Sequence, residues 1–134
     1  MKPVRPRPTP TAKPTEEAPT YDRAYALTLA GNVIDDITST DERVADGDWG
    51  SASSSLNLLA DSFQRLGGEG FPRGVNHAKY YAQVKTLESF SRQASNEIFD
   101  DPTAGSARYA VIREQTAPLM KTLNRALGSN LRLP

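Results

Sequence analysis

Beyond residue 20, apolar side chains recur at intervals of three and four residues in four separate stretches of the chain. An α-helix completes a turn in about 3.6 residues, so this spacing places the apolar side chains on one face of each helix. The alternation of apolar and polar residues that marks a half-buried strand is not found in these stretches. The sequence therefore predicts an all-α protein whose helices bury their apolar faces against one another.

The first helix is expected to run from Tyr21 to Ala45, with Thr20 as its N-cap and Gly47 as its stop. Asp22 then stands in the first turn, where the helix dipole favours a negative charge. Residues 38–40 have three short hydroxyl side chains, which compete for main-chain hydrogen bonds and allow a break at this point.

Residues that cap helices mark where the other three helices begin and end. The expected N-caps, each with a short oxygen-bearing side chain, are Asp48, Asn76 and Asp101. Gly67-Gly68 is expected to end the second helix and Gly128 the fourth, because glycine adopts the left-handed conformation of a C-cap at little cost. Pro118 lies inside the fourth helix and is expected to bend it, since proline cannot donate a main-chain hydrogen bond.

The inward face of each expected helix can be read from the spacing. The residues expected to face the core are Ala26, Ala30, Val33, Ile37 and Val44; Ala52, Leu56, Leu59, Phe63 and Leu66; Tyr80, Val84, Leu87, Ser91, Ala94 and Ile98; and Tyr109, Ile112, Thr116, Leu119, Leu123 and Ala126. Long helices with short connections pack as antiparallel neighbours. We therefore expect a four-helix up-down bundle over residues 21–128, followed by a C-terminal tail of residues 129–134.

Residues 1–20 differ from the rest of the chain because they hold six of its ten prolines. Proline fixes φ and removes a hydrogen-bond donor, so an extended, flexible proline-rich arm is expected here rather than a helix or strand. The arm has four basic and two acidic side chains, a net charge of +2, whereas the whole chain is neutral. The bundle therefore has a net charge of −2, and the two parts are expected to attract each other weakly.

The arm is the first candidate for binding a protein partner. It contains a PxxP core next to arginines, and aromatic grooves accept such a segment at low entropic cost because it is already extended. The candidate residues are Pro3, Arg5, Pro6, Arg7 and Pro8. The other interpretation of the arm is an unstructured spacer.

Trp49 and Phe71 are the aromatic candidates for partner binding, and both lie outside the helical stripes. Trp49 either seals one end of the bundle or anchors a partner, since large aromatic side chains contribute strongly to cores and to interfaces. Phe71, in a loop rich in glycine and proline, either folds back over the core or stays exposed for a partner.

No stretch of the sequence has the spacing of a catalytic, metal or nucleotide site. The chain has no cysteine, which excludes disulfides, thiolate metal sites and a cysteine nucleophile. Counted from Asp46, the twelfth position, which a calcium loop fills with glutamate, is Asn57. The single histidine, His77, has Gly74 three residues before it in place of the glutamate of a di-iron bundle. The sequence therefore predicts no enzyme activity, no catalytic residue, no cofactor and no bound metal.

The charge balance and hydropathy of the chain bear on its partners and location. Sixteen basic residues balance sixteen acidic ones, which argues against a protein that binds nucleic acid by neutralising phosphates. No run of about 18 apolar residues occurs, so membrane insertion is not expected. The sequence starts without an apolar run of signal-peptide length, so a cytoplasmic or virion-associated protein is expected, or an extracytoplasmic one if a leader has been removed.

These features together predict a non-enzymatic structural or assembly protein that docks on a larger complex, such as an accessory or decoration protein of a phage particle. The arm and one helical face would contact protein subunits of that complex. Two alternatives stay open. One is a tethered extracytoplasmic helical domain of a secreted or lipid-anchored protein, and the other is a cytoplasmic regulator or immunity-type binding protein that blocks its partner with a helical face.

Overall fold

The computed structural model describes residues 22–70 and 72–134, and this part of the chain forms four helices and no strand. The helices are α1 (Arg23–Ala45), α2 (Trp49–Glu69), α3 (His77–Ile98) and α4 (Pro102–Leu127). The prediction of an all-α bundle is confirmed. The proline-rich arm lies outside the described residues.

Hydrogen bonds between helices pair the beginning of one helix with the end of its neighbour. Arg43, near the end of α1, donates to Ser55 in the first turns of α2 at 2.8 Å, and Tyr25, near the start of α1, donates to Glu69 at the end of α2. Bonds with the same pattern join α2 to α3, α3 to α4 and α4 to α1. Neighbouring helices therefore run antiparallel, and α4 closes the ring against α1.

The three N-caps expected for the later helices are confirmed. Asp48, Asn76 and Asp101 each accept a hydrogen bond from the main-chain N–H three residues further on. The first helix begins later than expected, at Arg23, because the Asp22 carboxylate accepts from the N–H of Tyr25 at 3.1 Å and so makes Asp22 the N-cap. Thr20, the N-cap that we expected, lies outside the described residues.

The break allowed at residues 38–40 does not occur, and α1 is continuous through this segment. The hydroxyl of Thr38 donates to the carbonyl of Ile34 at 3.0 Å, and that of Thr40 donates to the carbonyl of Asp36 at 2.7 Å. Each hydroxyl thus bonds to the carbonyl one turn back without displacing the main-chain bonds of the helix. These hydroxyl groups therefore form their hydrogen bonds within the helix and do not interrupt it.

The prediction that Gly67-Gly68 ends the second helix is wrong, because α2 continues to Glu69 and is capped by Gly70. The N–H of Gly70 donates to the carbonyl of Leu66 at 3.2 Å. Gly67 is buried against α3, and a β carbon at this position would lie 3.1 Å from Cγ1 of Val84. The glycine therefore allows a close approach of two helices rather than a turn.

The core lies along the axis of the bundle and contains nearly all of the residues that the helical spacing predicted. Val44 and Ala126 are the exceptions, since both are only partly buried. The spacing missed Leu29 and Met120, which are buried as well. The apolar faces of all four helices therefore meet in one core.

Small polar side chains bring α2 and α3 close together. The hydroxyl of Ser53 donates to the carbonyl of Ser95 at 2.7 Å, and the hydroxyl of Ser95 donates to the carbonyl of Ser53 at 2.7 Å. These reciprocal hydrogen bonds join the main chains of α2 and α3 through two short side chains.

The tail that follows α4 folds back along this helix. Gly128, with a left-handed φ of 63°, ends α4. The side chain of Asn124 accepts a hydrogen bond from the main-chain N–H of Leu131 at 2.6 Å and donates to the carbonyl of the same residue at 2.9 Å. Arg113 donates to the main-chain oxygen of Pro134 at 2.6 Å. The tail is thus held at two points along α4.

Candidate partner-binding surfaces

The structure describes one of the residues predicted to bind a partner. Trp49 is the first residue of α2, and its side chain is partly buried against the core. Phe71 lies outside the described residues, as do the arm residues Pro3, Arg5, Pro6, Arg7 and Pro8. Among the residues predicted to bind a partner, Trp49 is therefore the one whose surroundings the structure describes.

Phe99 lies next to Gly50, the residue that follows Trp49, and is the most exposed large apolar side chain among the described residues, at 66%. It follows the last residue of α3, and a β carbon on Gly50 would lie 3.9 Å from its ring. Trp49, Gly50 and Phe99 together form a surface that we call the aromatic end. It combines a ring seated on the core with a ring open to solvent, which suits a partner that buries both.

The aromatic end is far from the place where the arm joins the bundle. Arg23, at the start of α1, donates to the carbonyl of Leu127 at the end of α4, so the arm joins at the opposite end, which we call the arm end. Gly70 and Pro72, which flank Phe71 in sequence, follow the last turn of α2 and lie at the arm end too. The 21 residues of α2 separate the two ends by about 30 Å. Trp49 therefore cannot share one continuous surface with the base of the arm.

A pocket with a basic lining lies at the arm end, between the start of α3 and the end of α4. Its volume is about 480 Å³. Its basic side chains are Arg73, Lys79 and Arg125, and no acidic side chain lines it among the described residues. Asn76, the N-cap of α3, also lines this basic pocket, so the positive end of the helix dipole points toward it.

A different cluster of charges, between α2 and α3, is internally neutralised. Arg92 donates to Asp61 at 2.9 Å and to Glu88 at 3.3 Å, and Lys85 donates to Glu88 at 3.1 Å. Glu88 is buried, and its two cationic neighbours supply the pairing that a buried carboxylate requires. The cluster is therefore explained by the packing of α2 against α3.

Between α1 and α4, a carboxylate and a phenol form a second polar network. The hydroxyl of Tyr109 donates to the Asp41 carboxylate at 2.6 Å, and Arg113 donates to both oxygens of that carboxylate at 2.9 Å. Burial raises the pKa of Tyr109 well above its usual value, and the bond to Asp41 raises it further. The phenol therefore stays protonated and serves as a hydrogen-bond donor between the two helices.

The acidic residues of segment 35–48 have structural roles where the structure shows their bonds. Asp36 accepts a hydrogen bond from the hydroxyl of Ser62 at 2.5 Å, and burial raises the pKa of its carboxyl group. Asp48 caps α2. Across the described ranges, no group of three or more histidine or acidic side chains is placed to hold a metal ion. The predictions of no metal, no cofactor and no catalysis stay predictions.

His77 is exposed in the first turn of α3, and its ring meets that of Tyr81 edge-on with centroids 6.5 Å apart. Neither Phe99 nor the basic pocket was anticipated from the sequence.

Within residues 22–70 and 72–134, no helix has the length and hydropathy that a membrane crossing requires. Comparisons of the chain with protein-family models, with curated proteins and with solved structures found no match.

Proposed function

We propose that the protein is a non-enzymatic assembly protein that bridges two subunits of a larger complex, one through its aromatic end and the other through its proline-rich arm. The observation that supports this most directly is the exposure of Phe99, next to Gly50, at the end of the bundle opposite the arm. An exposed phenylalanine is costly in water and favourable in an interface.

The geometry favours a bridge over a single contact patch. The aromatic end and the point where the arm joins the bundle are separated by the length of the bundle, about 30 Å, and the helices between them pack around one core. A molecule with one contact at the aromatic end and an arm at the other end can therefore reach two subunits. This is the arrangement expected of an accessory or decoration protein, for which a phage particle is one setting.

The proposal is tested by incorporation of the protein into its native assembly. The protein with Phe99→Ser is compared with the unchanged protein by sedimentation of the assembly and quantification of the bound fraction. Tyr81→Ser is the matched control, because Tyr81 is also an exposed aromatic residue, at 44%, but lies near the arm end. We expect Phe99→Ser to lower the bound fraction by about tenfold or more, since losing a central aromatic anchor costs about 2 kcal/mol, and Tyr81→Ser to leave it unchanged.

Deletion of residues 1–19 tests the other end of the bridge. We expect this deletion to lower incorporation without changing the helical content of the bundle. A regulator that blocks one partner would instead form a one-to-one complex that does not need the arm. Sedimentation at the mass of a single chain in extracts of its native source, or equal incorporation of Phe99→Ser and the unchanged protein, would rule the bridge out.

A further inference from the structure

The basic pocket lies beside the point where the chain enters α1. Arg125 lines the pocket from α4, and two residues later Leu127 accepts a hydrogen bond from Nε of Arg23 at 2.6 Å. The next residue, Gly128, accepts from the same guanidinium at 3.4 Å. The start of α1 is therefore fixed against the same turn of α4 that forms a wall of the pocket.

The segment that precedes α1 contains a matching pair of charges. Within residues 1–20, Glu16 and Glu17 are the only acidic residues. Glu17 stands five positions before Asp22, and an extended chain of this length spans about 17 Å. The two carboxylates are therefore within reach of the pocket.

We propose that the basic pocket binds the carboxylates of Glu16 and Glu17 from the chain's own N-terminal segment. The pocket offers the ammonium of Lys79 and the guanidinium of Arg125, with Arg73 adding to the positive potential. Pairing an acidic segment with this lining gives each carboxylate a charged donor, Lys79 or Arg125.

The strength of this docking follows from its geometry. An exposed ion pair strengthens an association by only about twofold, so two pairs would not hold a separate peptide. Within one chain the same pairs form without the entropy cost of bringing two molecules together, so they shift the docking equilibrium by about three- to fivefold. The docking is therefore reversible and sensitive to salt.

Docking of the glutamates determines where the arm leaves the bundle. The basic residues of the arm, from Lys2 to Lys13, precede the glutamates in sequence. With the glutamates docked, this basic part of the arm would leave the bundle at the outer side of α3 and α4. This inference does not depend on the proposed function, because it concerns one chain and is measured on the isolated protein.

The test uses the absence of cysteine, which allows one introduced cysteine to be labelled selectively. A nitroxide spin label is attached at Ala12→Cys, and broadening of main-chain NMR signals is measured across the bundle. We expect strong broadening at residues 74–80 and 122–126. Replacing Glu16 and Glu17 by glutamine should weaken the docking equilibrium by about three- to fivefold, the loss of two exposed pairs, and Lys79→Gln with Arg125→Gln should do the same.

Matched variants separate specific docking from a general change of charge. Glu42→Gln with Glu114→Gln removes two negative charges elsewhere, and Lys121→Gln with Arg132→Gln removes two positive charges outside the pocket. Both should leave the broadening unchanged, whereas about 0.5 M NaCl should reduce it.

Three results would overturn the proposal. One is broadening at the pocket that does not respond to loss of the glutamates, and a second is broadening spread evenly over the bundle. The third is a pocket whose signals shift with inorganic phosphate while the label causes no broadening there, which would indicate a site for a free anion instead.

Discussion

Gly105 in α4 lies so close to the backbone of Ile98 in α3 that a β carbon at position 105 would overlap the Cα of Ile98. The contact is close because only three residues connect the two helices. It involves main-chain atoms, so a rotamer change cannot relieve an overlap. The approach of α3 and α4 at this point therefore depends on the absence of a side chain.

We predict that Gly105→Ala destabilises the protein. Moving apart two packed helices costs about 1 to 3 kcal/mol, and the better helix propensity of alanine, up to about 1 kcal/mol, offsets part of that cost. The matched control is Gly31→Ala in α1, where a β carbon would meet nothing within 4 Å. This substitution should stabilise the protein by about 0.5 to 1 kcal/mol. The free energy of unfolding of each variant is measured by urea unfolding, monitored by circular dichroism. Equal changes in this free energy in the two variants would contradict the prediction.

The glycines also show what the sequence could and could not reveal. The N-caps Asp48, Asn76 and Asp101 were predicted correctly because a cap depends on residues close in sequence. Gly67 was taken for a helix end because a close approach between helices leaves no local signal. The apolar stripes were predicted for the same reason as the caps, since helix periodicity is local.

The candidate surfaces were harder to predict than the core. Phe99 directly follows the buried Ile98 and lies off the stripe of α3, so periodicity marked it only as a residue outside the core. The basic pocket combines Arg73, Lys79 and Arg125, which are distant in sequence and meet only when α3 and α4 pack. Predicting either surface requires the tertiary arrangement of the helices.

We predict that two buried phenols make the protein less stable at alkaline pH. Burial raises the pKa of Tyr80 and of Tyr109 far above the ordinary value of 10.0. The folded protein therefore keeps both protons above pH 10, whereas the unfolded chain releases them and gains free energy. The contribution of the two phenols to the free energy of unfolding should be constant below about pH 9. It should fall by about 1 to 2 kcal/mol between about pH 10 and pH 11.

The measurement is urea unfolding at several alkaline pH values. In the double variant Tyr80→Phe and Tyr109→Phe, the fall in stability should be much shallower, although the protein is weaker at neutral pH. Tyr81→Phe, at an exposed position, should keep the full fall. A slope that is identical in all three proteins would show that other groups cause it.

We predict that Asn124 is the main attachment of the C-terminal tail. Asn124→Ala removes three hydrogen bonds, two to the main chain of Leu131 and one from the hydroxyl of Ser129. The expected loss of stability is about 1 to 2 kcal/mol. Gln115→Ala, at an exposed position of α4, is the control and should have almost no effect.

Hydrogen exchange distinguishes detachment of the tail from general destabilisation. The amide of Leu131 should exchange much faster in Asn124→Ala, while the amides of α2 and α3 should change only as far as global stability changes. Continued protection of Leu131 in the variant would show that apolar packing and the hydrogen bond from Arg113 to Pro134 are enough to hold the tail.

We predict that Arg113 joins three parts of the fold and contributes more than an ordinary surface ion pair. It donates to both oxygens of Asp41 at 2.9 Å and to Pro134 at 2.6 Å, so it connects α4 to α1 and to the tail. Arg113→Gln should cost about 1 kcal/mol, since the pair is about one third exposed and solvent screens part of its energy.

The ion pair between Arg108 and Glu97 is about as exposed as the pair between Arg113 and Asp41, but it connects only α3 and α4. Arg108→Gln should therefore cost less than Arg113→Gln in urea unfolding. Hydrogen exchange adds a second distinction, because loss of Arg113 should speed exchange in α1 and in the tail, and loss of Arg108 should not. If both variants lose the same stability and leave α1 equally protected, the Asp41 network does not hold α1 against α4, and that contact must depend on the apolar core and on the hydrogen bonds of Arg23 to the end of α4.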